Sequence, residues 1–425
     1  MSSAFHIHIG GAGVMMGDML WKLYDKEHNE TTQKNYIYDQ VDENYHPLAL
    51  FADLDDRMIY EVQRNKQIKF KKHSFVYGKE DSSNVYSRGR YTVGKYLIDQ
   101  GLDFIRKQVE TMDRLDQFLI TASISGGTGS GFSSQLIDSL RYDYGIKVKQ
   151  NGFILFPSSQ MSNNVLEIYN SIFSIYMTLE HFDSIIMFDN QSIYNVIDQQ
   201  LDLDYVDYSH LNNVIAQIIS SYTGLRRFNN INNSKLFQNI CPYPDLHYII
   251  PSYGKMSLIN DYTRKKQNQT EFIKYLTQKE IKLYQCPKNP KHLSTTLLFR
   301  QKEENNFYGK FDLTLQNLEH FYQQNPLVFQ CTSSNYQILP ELAEMKQTGI
   351  FFSNDASISN RFNLLGKQWD QLYAKRAFGW VYIREGLEEC EFQEGRDILK
   401  SLEKDYSGII DASDSSNQNN FNDEL

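Results

Sequence analysis

The chain has 425 residues, with 43 Lys and Arg against 52 Asp and Glu, and so a net charge of -9. No basic stripe dominates, which argues against a nucleic-acid partner because polyanion binding rests on clustered cations; the one basic stretch, residues 64–72, reads as solvated surface. Hydrophobic residues at 41% and only 9 prolines fit two or three units with substantial cores, and with no basic-then-apolar leader and no run near the roughly 20 apolar residues that span a bilayer, an intracellular, soluble protein with no membrane partner is expected.

The elements alternate along the chain. An apolar run at residues 5–9 predicts a strand, followed by Gly10-Gly11-Ala12-Gly13 and a helix over 14–27. Further strand-like runs fall at 48–52, 118–124, 153–157 and 184–188, with helical patterns between them. Such alternation predicts an α/β fold built on a parallel sheet with helices on both faces. From Tyr208 a long helix is expected, with Leu211, Val214, Ile215, Ile218, Ile219 and Tyr222 on one stripe. Strands at 246–250 and 295–300 mix with helices in a second unit, and two helices, 358–373 and 385–404, close the ordered chain. The tail from Ser407 to Leu425 is rich in Ser, Asn and Asp and predicts disorder. The units are therefore residues 1–204, 205–353 and 354–406, with a tail at 407–425.

The segment Ser125-Gly126-Gly127-Thr128-Gly129-Ser130-Gly131 lies between the strand at 118–124 and a helical run starting at Phe132. Glycines let the main chain approach a polyphosphate and aim N–H groups at it, and the following helix adds the positive end of its dipole. The loop lacks the Lys of the Walker loop and the spacing of the dinucleotide fingerprint, which sets aside a Rossmann oxidoreductase. Together with Gly10 to Gly13 it makes two Gly-rich turns at strand-to-helix junctions, the arrangement that holds one nucleotide at the carboxyl edge of a parallel sheet. Cys241, Cys286, Cys331 and Cys390 are widely spaced and form no CxxC pair, so neither a zinc site nor a disulfide framework is expected.

These motifs resemble the tubulin family, and its alpha type more than its beta type. Gly10-Gly11-Ala12-Gly13-Val14 through Trp21-Lys22-Leu23-Tyr24, Gly78-Lys79-Glu80-Asp81, Tyr91-Thr92-Val93-Gly94-Lys95, Thr178-Leu179-Glu180-His181, Tyr373-Ala374-Lys375-Arg376-Ala377-Phe378 and Leu402-Glu403-Lys404-Asp405-Tyr406 carry the similarity in order. The resemblance implies a tubulin/FtsZ-like fold: a parallel-sheet nucleotide-binding domain, an α+β intermediate domain and a C-terminal helical hairpin. It further implies GTP and Mg2+ as cofactors, a beta-type tubulin as longitudinal heterodimer partner, further polymer neighbours, and a place in the cytoplasmic cytoskeleton.

The same resemblance assigns site residues. Gly10, Gly11, Ala12, Ser125, Gly126, Gly127, Thr128, Gly129 and Ser130 would cradle the phosphates. Asp53 and Asp55 follow the strand at 48–52, Asp55 in the position that meets hydrated magnesium; carboxylates beside phosphates call for a divalent cation between them. Asp81 and Asn84 would face the gamma-phosphate, Glu167 the ribose, Tyr208 the face of the base, and Asn212 and Gln200 the guanine edge. Gly11 stands where the family usually has Gln, Ser125 where it has Gly, and Gln200 where it has Asn. Residues 252–265 occupy the place of the lateral loop.

In tubulins an alpha-type chain supplies the acid that positions water on its neighbour's nucleotide, and such assistance is typically worth about 10² to 10⁴ in rate. Here Lys235 or Leu236 occupies that place, as in beta-type sequences. From Tyr208 to Pro244 there is no Asp or Glu at all, although the composition would place about four or five there. The expectation is a structural subunit that does not activate its neighbour, the alternatives being a sequestering or capping protein and a self-assembling GTPase. The tail carries only Asp411, Asp414, Asp423 and Glu424 as acids and ends in Leu425, too sparse a charge to recruit basic partners at long range.

Overall fold

A computed structural model of the chain describes residues 2–41, 44–158, 164–201, 203, 205–232, 234–254, 256, 269–286, 291–301, 327–345 and 347–422. The strands are β1 (Ser2–Ile9), β2 (Tyr38–Val41), β3 (Asn44–Pro47), β4 (Ala49–Asp53), β5 (Phe75–Tyr77), β6 (Arg114–Ser123), β7 (Lys149–Phe156), β8 (Ser184–Asp189), β9 (Tyr248–Gly254), β10 (His292–Gln301), β11 (Leu327–Thr332) and β12 (Gln347–Asp355). The helices are α1 (Gly10–Glu27), α2 (Arg57–Arg64), α3 (Lys95–Glu110), α4 (Ser133–Tyr144), α5 (Leu166–Thr178), α6 (Asn190–Gln200), α7 (Tyr208–Asn229), α8 (Ser234–Ile240), α9 (Gln269–Leu276), α10 (Ser359–Ala374), α11 (Gly379–Arg384) and α12 (Glu389–Asn422).

One ten-stranded sheet runs in the order β11-β10-β12-β9-β8-β7-β6-β1-β4-β5. From β5 to β9 every pairing is parallel; β12 is antiparallel to both of its neighbours, β9 and β10. All five residues of β4 and all six of β8 are buried, as expected of strands covered on both faces. The second unit extends the sheet of the first: β9 joins β8 through Ile185 opposite Tyr248 and Ile186 opposite Ile249.

Apolar side chains pack on both faces. On one side Trp21 and Tyr24 of α1 meet the buried stripe of α7, including Leu211, Val214, Ile218 and Tyr222. On the other, Tyr169 and Phe173 of α5 sit against Trp369, Tyr382 and Phe392 from the three C-terminal helices, with Tyr169 and Trp369 edge to face at 4.7 Å. The C-terminal helices therefore pack on the helix that follows β7 and reach the π-helical turn at Arg88–Thr92 through Glu385 and Glu391.

Several boundaries differ from the expected ones, each for a local reason. The first helix starts at Gly10, not Val14, because Gly10 at φ 71° turns the chain straight from β1 into α1. Strand β7 stops at Phe156, before Pro157, which has no N–H to give the ladder. The short stretch between α1 and β4 folds as the hairpin β2–β3, and Lys71 of the basic segment is tied to Asp39 and Gln108 rather than left in solvent. The tail expected to lack structure continues the backbone of α12 through Asn422. Upstream burial of Leu399, Leu402 and Tyr406 has already nucleated that helix, after which each added residue gains a hydrogen bond. Lys255 and residues 257–265 of the expected lateral loop, together with Asp423, Glu424 and Leu425, lie outside the described residues.

Candidate functional site

The carboxyl ends of β1, β4, β6 and β7 converge on the two glycine turns. A Cβ on Gly10 would lie 3.1 Å from the Gly129 nitrogen and 3.7 Å from Thr128 Cβ, so the turns after β1 and β6 are in contact. The second turn continues as a π-helical turn, Thr128–Phe132, packed against a π-helical turn at Arg88–Thr92. That apposition needs glycine: a Cβ on Gly89 would stand 2.2 Å from the Gly127 oxygen. Widened turns of this kind recur at functional sites because they leave main-chain groups without intrahelical partners.

The residues assigned to the phosphates come together. Thr128 Oγ1 donates to Ser82 Oγ at 3.1 Å, and Ser82 in turn donates to the Asp81 carboxylate at 3.3 Å. Ser130 Oγ donates to the Gly126 oxygen at 2.6 Å, closing the loop on itself. Gly11 faces Asp53, whose Oδ2 would be 3.8 Å from a Cβ there. Ser83 and Asn84 both have positive φ, 51° and 56°, and Asn84 Oδ1 would lie 3.9 Å from a Cβ on Gly126.

A residue not singled out in the sequence fastens these loops. Asn170 on α5 is fully buried, and its Nδ2 donates to the carbonyls of Asn84 and Ser125, each at 2.8 Å. Its Oδ1 accepts from the Tyr86 N–H at 3.0 Å and the Tyr382 hydroxyl at 2.8 Å. Two donor and two acceptor positions are filled, so the amide fixes both loops at once. Glu167 sits one turn earlier on the same helix, at the i to i+3 spacing that shares a face. No sequence pattern marks Asn170, because all four of its partners are distant or main-chain groups.

A second support runs beneath the first turn. Trp21 Nε1 donates to His8 Nε2 at 3.1 Å, which leaves the ring proton on Nδ1 to donate to Thr121 Oγ1 at 2.7 Å; that hydroxyl donates to the Gly13 oxygen at 3.1 Å. Burial holds the His8 pKa down to about 3, so the ring is neutral.

The base side is less closely assembled. Tyr208 opens α7 beside its cap Asp207 and is largely exposed, and Asn212 lies one turn on, half-buried. Gln200 is committed elsewhere: its amide donates to the Tyr253 oxygen at 3.2 Å and accepts from the Met256 N–H at 2.9 Å.

The carboxylates after β4 occupy different environments. Burial pushes the Asp53 pKa up to about 6. Asp55 is held below the usual range chiefly by Arg57, whose Nε and Nη2 reach Oδ2 at 2.7 and 2.6 Å while the Arg57 N–H donates to Oδ1 at 3.2 Å. Both oxygens expected to meet magnesium are thus engaged by one residue, and Gly11 adds no side chain beside them. Arg57 is 80% accessible and its link to Asp55 is a solvated ion pair of small net strength, so this carboxylate, with Asp53 beside it, can still meet a hydrated cation.

Comparison with known proteins places this geometry. Residues 3–198 match the Tubulin/FtsZ family, GTPase domain. The chain is 33% identical to the "Tubulin alpha chain, nucleomorph" of Guillardia theta, over 99% of this chain and 100% of that one. It is 34% identical to the "Tubulin alpha-2B chain" of Physarum polycephalum and 32% to the "Tubulin alpha-2 chain" of Eleusine indica, over 96% of this chain and 97% of each of theirs.

The chain belongs to the tubulin family. It is a divergent alpha-tubulin-like protein, and both glycine turns lie inside the matched GTPase domain, a family that binds guanine nucleotide. Among the described residues of this tubulin-family chain, no helix is long and apolar enough to cross a membrane. On α8, which holds the stretch that the resemblance sets against the acid-bearing position, Leu236 is fully buried with Phe237 and Ile240, while Gln238 and Asn239 face solvent. The side chain of Lys235 lies outside the described residues.

Proposed function

We propose that this chain is a GTP-binding structural subunit of a tubulin polymer such as the microtubule, in the cytoplasmic cytoskeleton, paired longitudinally with a beta-type tubulin and unable to activate hydrolysis on the subunit it docks against. The nucleotide lies on the apposed glycine turns, with Asn170 holding the loops that face its phosphates. Magnesium enters this reading as a hydrated counter-ion of the phosphates, met by Asp55.

The observation that carries the non-activating part is the exposed face of α8. Leu236 points into the core and, among the side chains described on this helix, the solvent-facing ones, Gln238 and Asn239, are amides, within a window, Tyr208 to Pro244, that contains no carboxylate. An amide cannot take a proton from water at neutral pH. Support for a protein partner comes from α11 and the residue before it, where Phe378, Trp380 and Ile383 are 47%, 64% and 47% exposed, an apolar group suited to burial in an interface.

The test is to coexpress the chain with a beta-type tubulin, attempt assembly, denature the product and chromatograph the released nucleotide. GTP retained at both sites in filaments supports the proposal. GDP at the partner's site would refute the non-activating role, and a soluble pair that never enters filaments would refute the structural one.

A further inference from the structure

We infer that Arg88 is a positioning residue for the loop at residues 80–84, assigned to the gamma-phosphate, and that through Glu385 it ties the preference for GTP over GDP to the C-terminal helical layer. The inference rests on the reading of the glycine turns as a nucleotide site.

The loop needs an anchor. Ser83 and Asn84 both lie in the left-handed region, at φ 51° and 56°, a conformation that is costly for residues other than glycine and persists only where the surroundings hold it. The loop is pressed on the second glycine turn: a Cβ on Gly127 would stand 2.5 Å from the Val85 nitrogen and 2.8 Å from Ser82 Oγ. At its far end Asn170 donates to the Asn84 carbonyl. At its near end Arg88 Nε donates to the Asp81 carbonyl at 2.9 Å, and Nη2 donates to Glu80 Oε2 at 3.0 Å. The two left-handed residues thus sit between two side-chain clamps, of which Arg88 is the charged one.

Arg88 is itself fixed from two sides. It opens the π-helical turn whose next residue, Gly89, packs so close to the Gly127 carbonyl that no Cβ fits between them, and this sets the base of the Arg88 side chain against the cradle. On the other side Arg88 Nη1 lies 3.6 Å from Glu385 Oε1, while Glu385 Oε2 accepts from Thr92 Oγ1 of the same turn at 2.7 Å. Tyr91 donates to Glu391 of α12 at 2.5 Å, and Gly386, at φ 98°, brings the corner between α11 and α12 against the Tyr91 ring. The Arg88 and Glu385 side chains are 27% and 21% exposed, so solvent ions screen this pair less than one standing free on the surface. A change at Glu385 therefore passes through one guanidinium to the Asp81 carbonyl, and so to the Asp81 and Asn84 side chains assigned to the third phosphate. GDP lacks that phosphate, so the effect falls on GTP.

The experiment is displacement of a fluorescent GTP analogue from the purified full-length chain by unlabelled GTP and GDP in excess magnesium, for the wild type, Arg88→Gln, Glu385→Gln and the double variant, with urea unfolding of each to establish that it is folded. Arg88→Gln is expected to lose about tenfold in GTP affinity and less than about threefold in GDP affinity, the effect of losing a hydrogen bond from a charged donor. Glu385→Gln, which keeps an acceptor for Thr92, should shift the ratio of the two affinities in the same direction, and the double variant should lose no more than Arg88→Gln alone, as expected of residues that act through one contact. Equal losses for both nucleotides, a ratio unchanged in either single variant, or additive losses in the double variant would overturn the inference while leaving the nucleotide site intact. Should Arg88→Gln not fold, the ratio in Glu385→Gln decides by the same criterion. Absence of nucleotide binding by the folded wild type would instead overturn the nucleotide-site reading beneath the inference, and the inference with it.

Discussion

Glu27, the last residue of α1, and Arg227, near the end of α7, form a 2.8 Å ion pair in which both side chains are fully buried. Arg300 of β10 completes a triad on the same carboxylate, and Ser220 donates to it from α7. Arg227 also lies 4.4 Å from the centroid of Tyr24. The triad joins the nucleotide-binding half of the sheet to its extension. Burial alone would raise the Glu27 pKa, yet the two guanidiniums hold it below the usual range, so the carboxylate stays charged. Removing one partner leaves uncompensated buried charge; Glu27→Gln and Arg227→Ala are each expected to destabilise the fold by about 3–5 kcal/mol. Urea unfolding followed by circular dichroism would measure this, and added salt should leave the loss unchanged, since screening ions do not reach the pair.

The two glycines 126 and 129 separate space from necessity. A Cβ on Gly129 would stand 2.2 Å from the Ser123 oxygen, a main-chain atom that cannot move without breaking the β6 exit, whereas the nearest atom to a Cβ on Gly126 is 3.9 Å away. Gly129→Ala is expected to lower affinity for a GTP analogue by about tenfold to a hundredfold, the cost of overpacking being roughly 1–3 kcal/mol. Gly126→Ala displaces no protein atom and should cost clearly less affinity than Gly129→Ala. Titration of both variants with the fluorescent nucleotide would separate them.

Asn170 should matter more for nucleotide than for folding of the sheet. In Asn170→Ala the carbonyls of Asn84 and Ser125 lose a shared donor, and the Tyr86 N–H loses its acceptor; each buried unpaired group costs about 1–3 kcal/mol. The expected outcome is a looser pair of loops, seen as faster amide exchange at residues 82–86 and 125–130 and weaker GTP binding, with exchange in β8 and β9 unaltered. Equal acceleration throughout the sheet would show that the amide is only a packing group.

Stability should respond to pH through several buried groups, of which His8 and Asp53 act with opposite sign. His8 is depressed to about 3, so its contribution is present above the unfolded value near 6.5 and is lost as the pH falls below it, by up to about 1.4 kcal/mol per pH unit. Asp53 is raised to about 6, so its contribution is present below the unfolded carboxylate value and is lost as the pH rises through 6. Asp53→Asn is therefore expected to raise the unfolding midpoint at pH 7.5 and to have no such effect at pH 4. His8→Gln should flatten the loss of stability between pH 6.5 and 5. Thermal melts of the nucleotide-free chain at these pH values would check both.

Much of the nucleotide-binding half was legible in the sequence because its signals are local. Strands β1, β4, β6, β7 and β8 each appear as short apolar runs, the two glycine turns follow β1 and β6 directly, and the stripe of α7 repeats at the helical period. The covalent order of those elements, with a right-handed preference for parallel crossovers, already brings Gly10 and Gly129 to one sheet edge.

What the tertiary structure alone decided are the pairings between residues far apart in the chain. The window without acids is written in the sequence, but only packing turns Leu236 inward and leaves Gln238 and Asn239 on the surface. The carboxylate Asp55 is visible in the sequence, but its engagement by Arg57 depends on the backbone turning into α2 just there. Asn170 and Gln200 are both amides on predicted helices; one closes the phosphate loops and the other binds the end of β9, because a side-chain amide takes its role from whichever main-chain groups the fold leaves within about 3 Å of it.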